Sequence, residues 1–123
     1  MVVSEFNPLT GILEAKFEGS VYLKEILDYI ISTKNNKELP RDLKIITDAS
    51  QASYNFSYKE LQNIVIENKK SLKQYNSITD AIVVTDPNTT AISMLYQELE
   101  KTKKYKFKIF STKEAALDWL NDF

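Results

Sequence analysis

The stretch that most constrains this chain is Asp80–Ile92, which reads DAIVVTDPNTTAI. Ala81-Ile82-Val83-Val84 is apolar, largely β-branched and without a helical stripe, so it reads as a buried strand. Asp86 follows and can accept hydrogen bonds from the first free amides of a helix. Pro87 suits the first helical position, where its missing N–H is not needed. A strand that passes through a cap into a helix is the corner of an α/β sheet, and the other segments are placed relative to it.

Upstream, Val2–Phe6 reads as a short edge strand and Asn7–Gly11 as a turn. Ile12–Phe17 alternates, with Leu13, Ala15 and Phe17 on one face and Glu14 and Lys16 on the other, as a half-buried strand in a hairpin does. Gly19-Ser20 closes it, and Ser20 caps a helix whose Leu23, Ile26, Leu27, Ile30 and Ile31 share one stripe. Thr33–Glu38 is a polar loop, and Pro40 forbids further helix. Leu43–Thr47 is a second continuous apolar strand, ending in Asp48-Ala49-Ser50, with Gln51–Phe56 as a loop. Ser57 and Glu60 have the spacing of a capping box, ahead of a stripe of Leu61, Ile64, Val65, Leu72 and Tyr75.

Beyond the corner, Ile92, Leu95, Tyr96 and Leu99 form the next stripe. Tyr105–Phe110 alternates against Lys106 and Lys108, as a strand with one wet face. Ser111 and Glu114 form a second capping box, and Ala116, Trp119, Leu120 and Phe123 make the last stripe. The order β-β-α-β-α-β-α-β-α predicts an α/β fold: one mixed, mostly parallel five-stranded sheet with four helices, a single domain over residues 1–123. The continuous apolar strands belong inside and the alternating ones outside, which places the strands in sequence order.

Composition narrows the chemistry. The chain has no cysteine and no histidine, which excludes disulfides, thiol catalysis and zinc–thiolate sites, and removes the usual general base at neutral pH. With two glycines in the chain, a phosphate-cradling loop is not expected. A net charge of −1 supplies no field for nucleic acid or an anionic membrane. The lysines at 69, 70 and 73, and at 101, 103, 104, 106 and 108, read as solvated faces that suit helix C-termini and an edge strand. No apolar run approaches the ~18 residues of a membrane span. The N-terminus, MVVSEFNPLTG, lacks the pattern of a signal peptide, so a cytoplasmic location is expected.

Parallel α/β sheets bind ligands beyond the carboxyl ends of their strands. That edge is expected to hold Asp48, Ser50, Asp86, Asn88 and Thr89, with Thr90 and Ser111 nearby. Asp48 and Asp86, ending adjacent strands, either cap the turns that follow or hold a hard cation such as magnesium with Thr and Asn oxygens. The absence of a glycine-rich loop favours capping. Tyr54, Phe56 and Tyr58 alternate among polar neighbours; they either form an aromatic contact surface or fold down over the sheet edge.

Ile109–Leu120, IFSTKEAALDWL, resembles the closing motif of the STAS-like (sporulation anti-sigma-factor-antagonist-like) superfamily. In its uncharacterised bacterial branch a phenylalanine-bearing strand leads into a helix carrying Glu-Ala and Trp-Leu. Asp48-Ala49-Ser50 and Val83-Val84-Thr85-Asp86-Pro87 are similar to that superfamily as well. The resemblance implies a STAS-type fold, with the tryptophan clamping the last helix onto the sheet. It also implies a non-enzymatic module for protein–protein regulation or small-ligand sensing, with no cofactor. Anti-sigma-factor antagonists carry Asp-Ser before a glycine at the second helix, where the serine is phosphorylated. Here that position reads Asn55-Phe56-Ser57-Tyr58, with Ser57 at the helix start and the flanking Asp and Gly replaced. The lipid-carrier branch of the same fold needs a larger apolar cavity than a chain this short leads one to expect.

The resulting expectation is a cytoplasmic interaction module with a binding surface of Asp48, Ser50, Tyr54, Phe56, Ser57, Asp86, Asn88 and Thr89. Its partner is a protein, not nucleic acid or membrane. A homodimer through Tyr105–Phe110 or an exposed sheet face stays open. The alternative is a small ligand or divalent cation held at Asp48 and Asp86.

Overall fold

The computed structural model describes residues 1–123 as one five-stranded sheet with helices on both faces. The strands are β1 (Val2–Asn7), β2 (Ile12–Tyr22), β3 (Asp42–Asn55), β4 (Ser77–Val83) and β5 (Tyr105–Phe110). The helices are α1 (Leu23–Asn35), α2 (Leu61–Leu72), α3 (Pro87–Leu99) and α4 (Lys113–Leu120). A 3-10 turn, Tyr58–Glu60, leads into α2. Strand order follows the sequence, with β1 antiparallel to β2 and every other pair parallel. The mixed, mostly parallel α/β fold expected from the sequence is therefore what the chain adopts. No helix is long and apolar enough to cross a membrane.

Alternation along the central strands builds two cores. Leu13, Ala15 and Phe17 of β2, Leu43 and Ile45 of β3, and Ile78 and Ile82 of β4 face one side, with Ile26 and Ile30 of α1, Leu61 and Ile64 of α2 and Ile92 of α3. On the other side Ile12, Ile46, Ala81 and Val83 meet Ala116 and Leu120 of α4. Trp119 helps close that smaller core from a half-buried position, its ring 5.7 Å from Phe110. Within this smaller core Ala81, Ala116 and Leu120 are each 0% exposed.

Four boundaries differ from expectation, each for a local reason. β2 does not stop at Gly19; it runs on to Tyr22, with Gly19 at φ +65° paired to Ala52 just past a register shift, between Lys16 and Glu18, in which β3 carries the extra residue. Gln51–Asn55 is strand, not loop: Ala52 and Tyr54 point inward and alternate with exposed Gln51, Ser53 and Asn55. Together Glu18–Tyr22 and Gln51–Asn55 form a two-stranded extension past the end of β4. α1 begins after Tyr22, whose N–H is taken by the Glu25 carboxylate at 3.1 Å, so Ser20 caps nothing. α4 is capped by Thr112, which accepts from the Ala115 N–H at 3.2 Å, in place of Ser111.

The face of α3 also differs. Thr89, Ile92 and Ser93 are its buried residues, whereas Leu95 and Leu99 are 41% and 36% exposed. The inward hydroxyls are satisfied at short range: Ser93 donates to the Thr89 carbonyl at 2.8 Å. Leu43, 1% exposed, sits at the centre of the larger core. Leu43→Ala is expected to cost about 2–5 kcal/mol in urea unfolding. Leu9→Ala, at a turn position 95% exposed, is expected to stay within about 0.5 kcal/mol of the parent.

Candidate functional site

The residues expected at the strand-end edge fall into two groups. Asp48 does not end a strand; it lies inside β3, opposite Lys16 on β2 and Val83 on β4. Its carboxylate accepts from the Ser50 N–H at 3.1 Å and the Ser50 hydroxyl at 2.6 Å. Partial burial pushes it up, but those two bonds with Lys113 and Lys16 outweigh burial and hold it below the usual range. Lys113 opens α4, so Asp48 belongs to the α4 side of the sheet.

Asp86 caps α3 on the opposite side. Its Oδ2 accepts from the Thr89 N–H at 2.9 Å and lies 3.0 Å from the Thr89 hydroxyl. The Thr89 donors hold its carboxyl low. The two carboxylates are thus occupied locally and lie on different faces, so they do not share one cation, and no group of three or more acidic side chains gathers elsewhere.

The remaining edge residues do converge. The Thr85 hydroxyl donates to the Ser50 carbonyl at 2.8 Å, and the buried Thr89 hydroxyl lies 3.4 Å from the Ala52 carbonyl. These contacts stitch the β3 extension to the corner that opens α3. Tyr54 and Phe56 fold inward and stack, ring centres 5.0 Å apart at 28°. Ser57 accepts from the Glu60 N–H at 3.3 Å while Glu60 accepts from the Ser57 N–H at 2.9 Å, completing the expected capping box. Asn55, Ser57, Tyr58 and Asn88 are exposed, Tyr58 by 60%.

Beneath the Tyr54–Phe56 stack lies a cavity, between the sheet and α1, α2 and α3, with room of about 80 Å3. Phe17, Ile45, Ile64, Ile82, Ile92 and Phe107 supply apolar wall. Polar groups also enter it. Asp80, in the middle of β4, accepts from the Thr47 hydroxyl of β3 at 2.9 Å and from the Tyr105 hydroxyl of β5 at 3.2 Å. The Tyr96 hydroxyl of α3 donates in turn to Tyr105 at 3.3 Å. The hydroxyl of Tyr29 on α1 is buried with no partner, as is the Asn68 amide nitrogen on α2. Tyr29, Tyr54, Tyr96 and Asp80 are enclosed by protein yet keep partial accessibility, as side chains lining a cavity do.

Burial in this layer dominates the ionisation of its members. It pushes the Asp80 carboxyl up to about 6, against the Thr47 and Tyr105 hydroxyls, which pull it down. Burial raises the Tyr54 hydroxyl to about 12, with the Ser93 hydroxyl acting in the opposite sense. Glu100, just past α3 and 2% exposed, has both carboxylate oxygens buried and unbonded; burial pushes it up to about 7, opposed by Asn68 and Lys69. Neither Asp80 nor Glu100 takes part in an ion pair; the five pairs in the structure involve other groups. Asp80 was not singled out by the sequence reading, although an acidic residue in the inward register of a central strand is itself the signal.

A raised carboxyl makes the folded chain bind protons more tightly than the unfolded one. Between an ordinary carboxylate value of about 4 and the folded values of about 6 and 7, stability therefore rises as pH falls. Asp48, Asp86 and Glu25 are held low, so their stabilising contribution fades only near and below pH ~4. The thermal midpoint is expected to be higher at about pH 5.5 than at about pH 8, with the difference reduced in Asp80→Asn. A midpoint that drops over the same change contradicts the assignment.

No protein-family model and no curated protein matches the sequence. Among solved structures, the chain is similar to an uncharacterized protein of the DUF3478 family with a SpoIIAA-like fold from Shewanella loihica PV-4. The TM-score is 0.64 at 17% identity, over 97% of this chain and 93% of that one. At that identity the likeness speaks to architecture: this chain has the SpoIIAA-like, STAS-like α/β fold.

Proposed function

We propose that the chain is a non-enzymatic regulatory module that meets a protein partner through the outer side of Asn55–Tyr58 and the adjoining start of α3. One observation carries this reading. Exposed Ser57 and Tyr58 are presented by a backbone that is anchored twice: by the inward Tyr54–Phe56 stack and by the reciprocal Ser57–Glu60 cap. Asn88, exposed at the α3 N-terminus, belongs to the same stitched edge. An aromatic side chain held out on a preorganised turn loses little entropy when it is covered, which is how interface anchors gain their affinity. The SpoIIAA-like fold supports the reading by analogy alone.

The test is affinity capture from the source cells with the parent chain, with Tyr58→Ala/Asn88→Ala, and with Lys106→Ala as a control on the edge strand β5. The reading expects a stoichiometric protein partner with the parent and the control, and at least a tenfold lower recovery with the double variant. Equal recovery with the double variant, or loss only with Lys106→Ala, contradicts it.

A further inference from the structure

We propose that the cavity under the Tyr54–Phe56 stack is a binding site for a compact organic ammonium ion, seated against Asp80. This goes beyond the partner surface and stands independently of it. The first argument is charge. Buried carboxylates in folded proteins are normally paired with a cation or a metal. Asp80 has two hydroxyl donors, from Thr47 and Tyr105, and no cationic neighbour.

The second argument is the wall. Tyr29, Tyr54, Phe56, Tyr96, Tyr105 and Phe107 all line the cavity. Several are locked edge to face or stacked: Tyr96 lies 5.1 Å from Phe107 at 83°, and Tyr105 lies 5.9 Å from Phe107 at 21°. Aromatic faces around a buried anion are an environment that recognises an organic cation. A carboxylate anion would meet the Asp80 charge, and an alcohol would leave that charge uncompensated.

The third argument is the unpaired hydroxyl. Tyr29 brings an oxygen into the cavity with no partner in the protein. It can accept a second N–H from an ammonium group whose first N–H goes to Asp80. Size limits the guest: the room of about 80 Å3 is about half of the roughly 150 Å3 that holds a benzene ring. That admits an amine of about three heavy atoms, so the site selects against rings and long lipids.

The experiment is an NMR titration of the full chain with ethylamine, ethanol and acetate at neutral pH. Ethylamine is expected to bind saturably, with a Kd in the millimolar range and shifts concentrated on residues lining the cavity. Ethanol should bind at least tenfold more weakly, and acetate not at all. Asp80→Asn keeps the side-chain shape and removes a buried charge, so it is expected to fold. It should weaken ethylamine at least tenfold and leave ethanol unchanged. Tyr29→Phe should weaken ethylamine about fivefold. The inference is overturned if ethanol binds as tightly as the amine, if Asp80→Asn keeps amine affinity, or if no probe moves the cavity signals.

Discussion

A carboxyl group in the middle of a central strand, facing the apolar layer, is the constraint around which this structure is arranged. Asp80 occupies an inward position between Ile78 and Ile82, where its neighbours are aliphatic and aromatic. Left unbonded there it would cost several kcal/mol. Its bonds to Thr47 of β3 and Tyr105 of β5 tie three adjacent strands together through side chains, in addition to the backbone ladder. The Tyr96 hydroxyl extends that tie to α3. These tyrosines and the stacked Phe107 stand off the sheet as rigid rings, and the layer between strands and helices encloses a cavity where an aliphatic core would close up.

The second organising device is the β2–β3 extension. Past the register shift between Lys16 and Glu18 the two strands continue without β4 beside them, and Val21, Ala52 and Tyr54 turn over the larger core. Bonds from Thr85 and Thr89 fix the extension to the α3 corner. The segment from Tyr54 to Tyr58 therefore has two working sides. Its inward rings roof the cavity, and its outward residues form the proposed partner surface. Occupancy below and contact above would act on the same few residues.

Much of this architecture was legible in the sequence because local and global signals agree. Asp86-Pro87 caps α3 as its chemistry dictates, the Ser57–Glu60 box forms, and the strand order follows from which apolar runs are continuous. Misreadings arose where composition and periodicity disagree. Gln51–Asn55 carries polar residues at its outward positions, so it resembles a loop, yet its period of two places Ala52 and Tyr54 inward. Gly19 looks like a terminator but lies inside β2, paired to Ala52. On α3 the sheet-facing residues are Thr89 and Ser93, whose hydroxyls are satisfied by nearby acceptors; the apolar Leu95 and Leu99 lie partly exposed. The cavity was not readable from spacing, because Asp80, Thr47, Tyr96 and Tyr105 come from four elements that meet only once the sheet is assembled.

The central claim is that Asp80 is a carboxyl held inside the layer without a cation. A carbon-13 NMR titration of the Asp80 side-chain carboxyl tests it most directly. The account predicts a midpoint near 6, clearly separated from the exposed carboxylates of the chain. A midpoint near or below about 4, the range of a solvated or ion-paired aspartate, would contradict it.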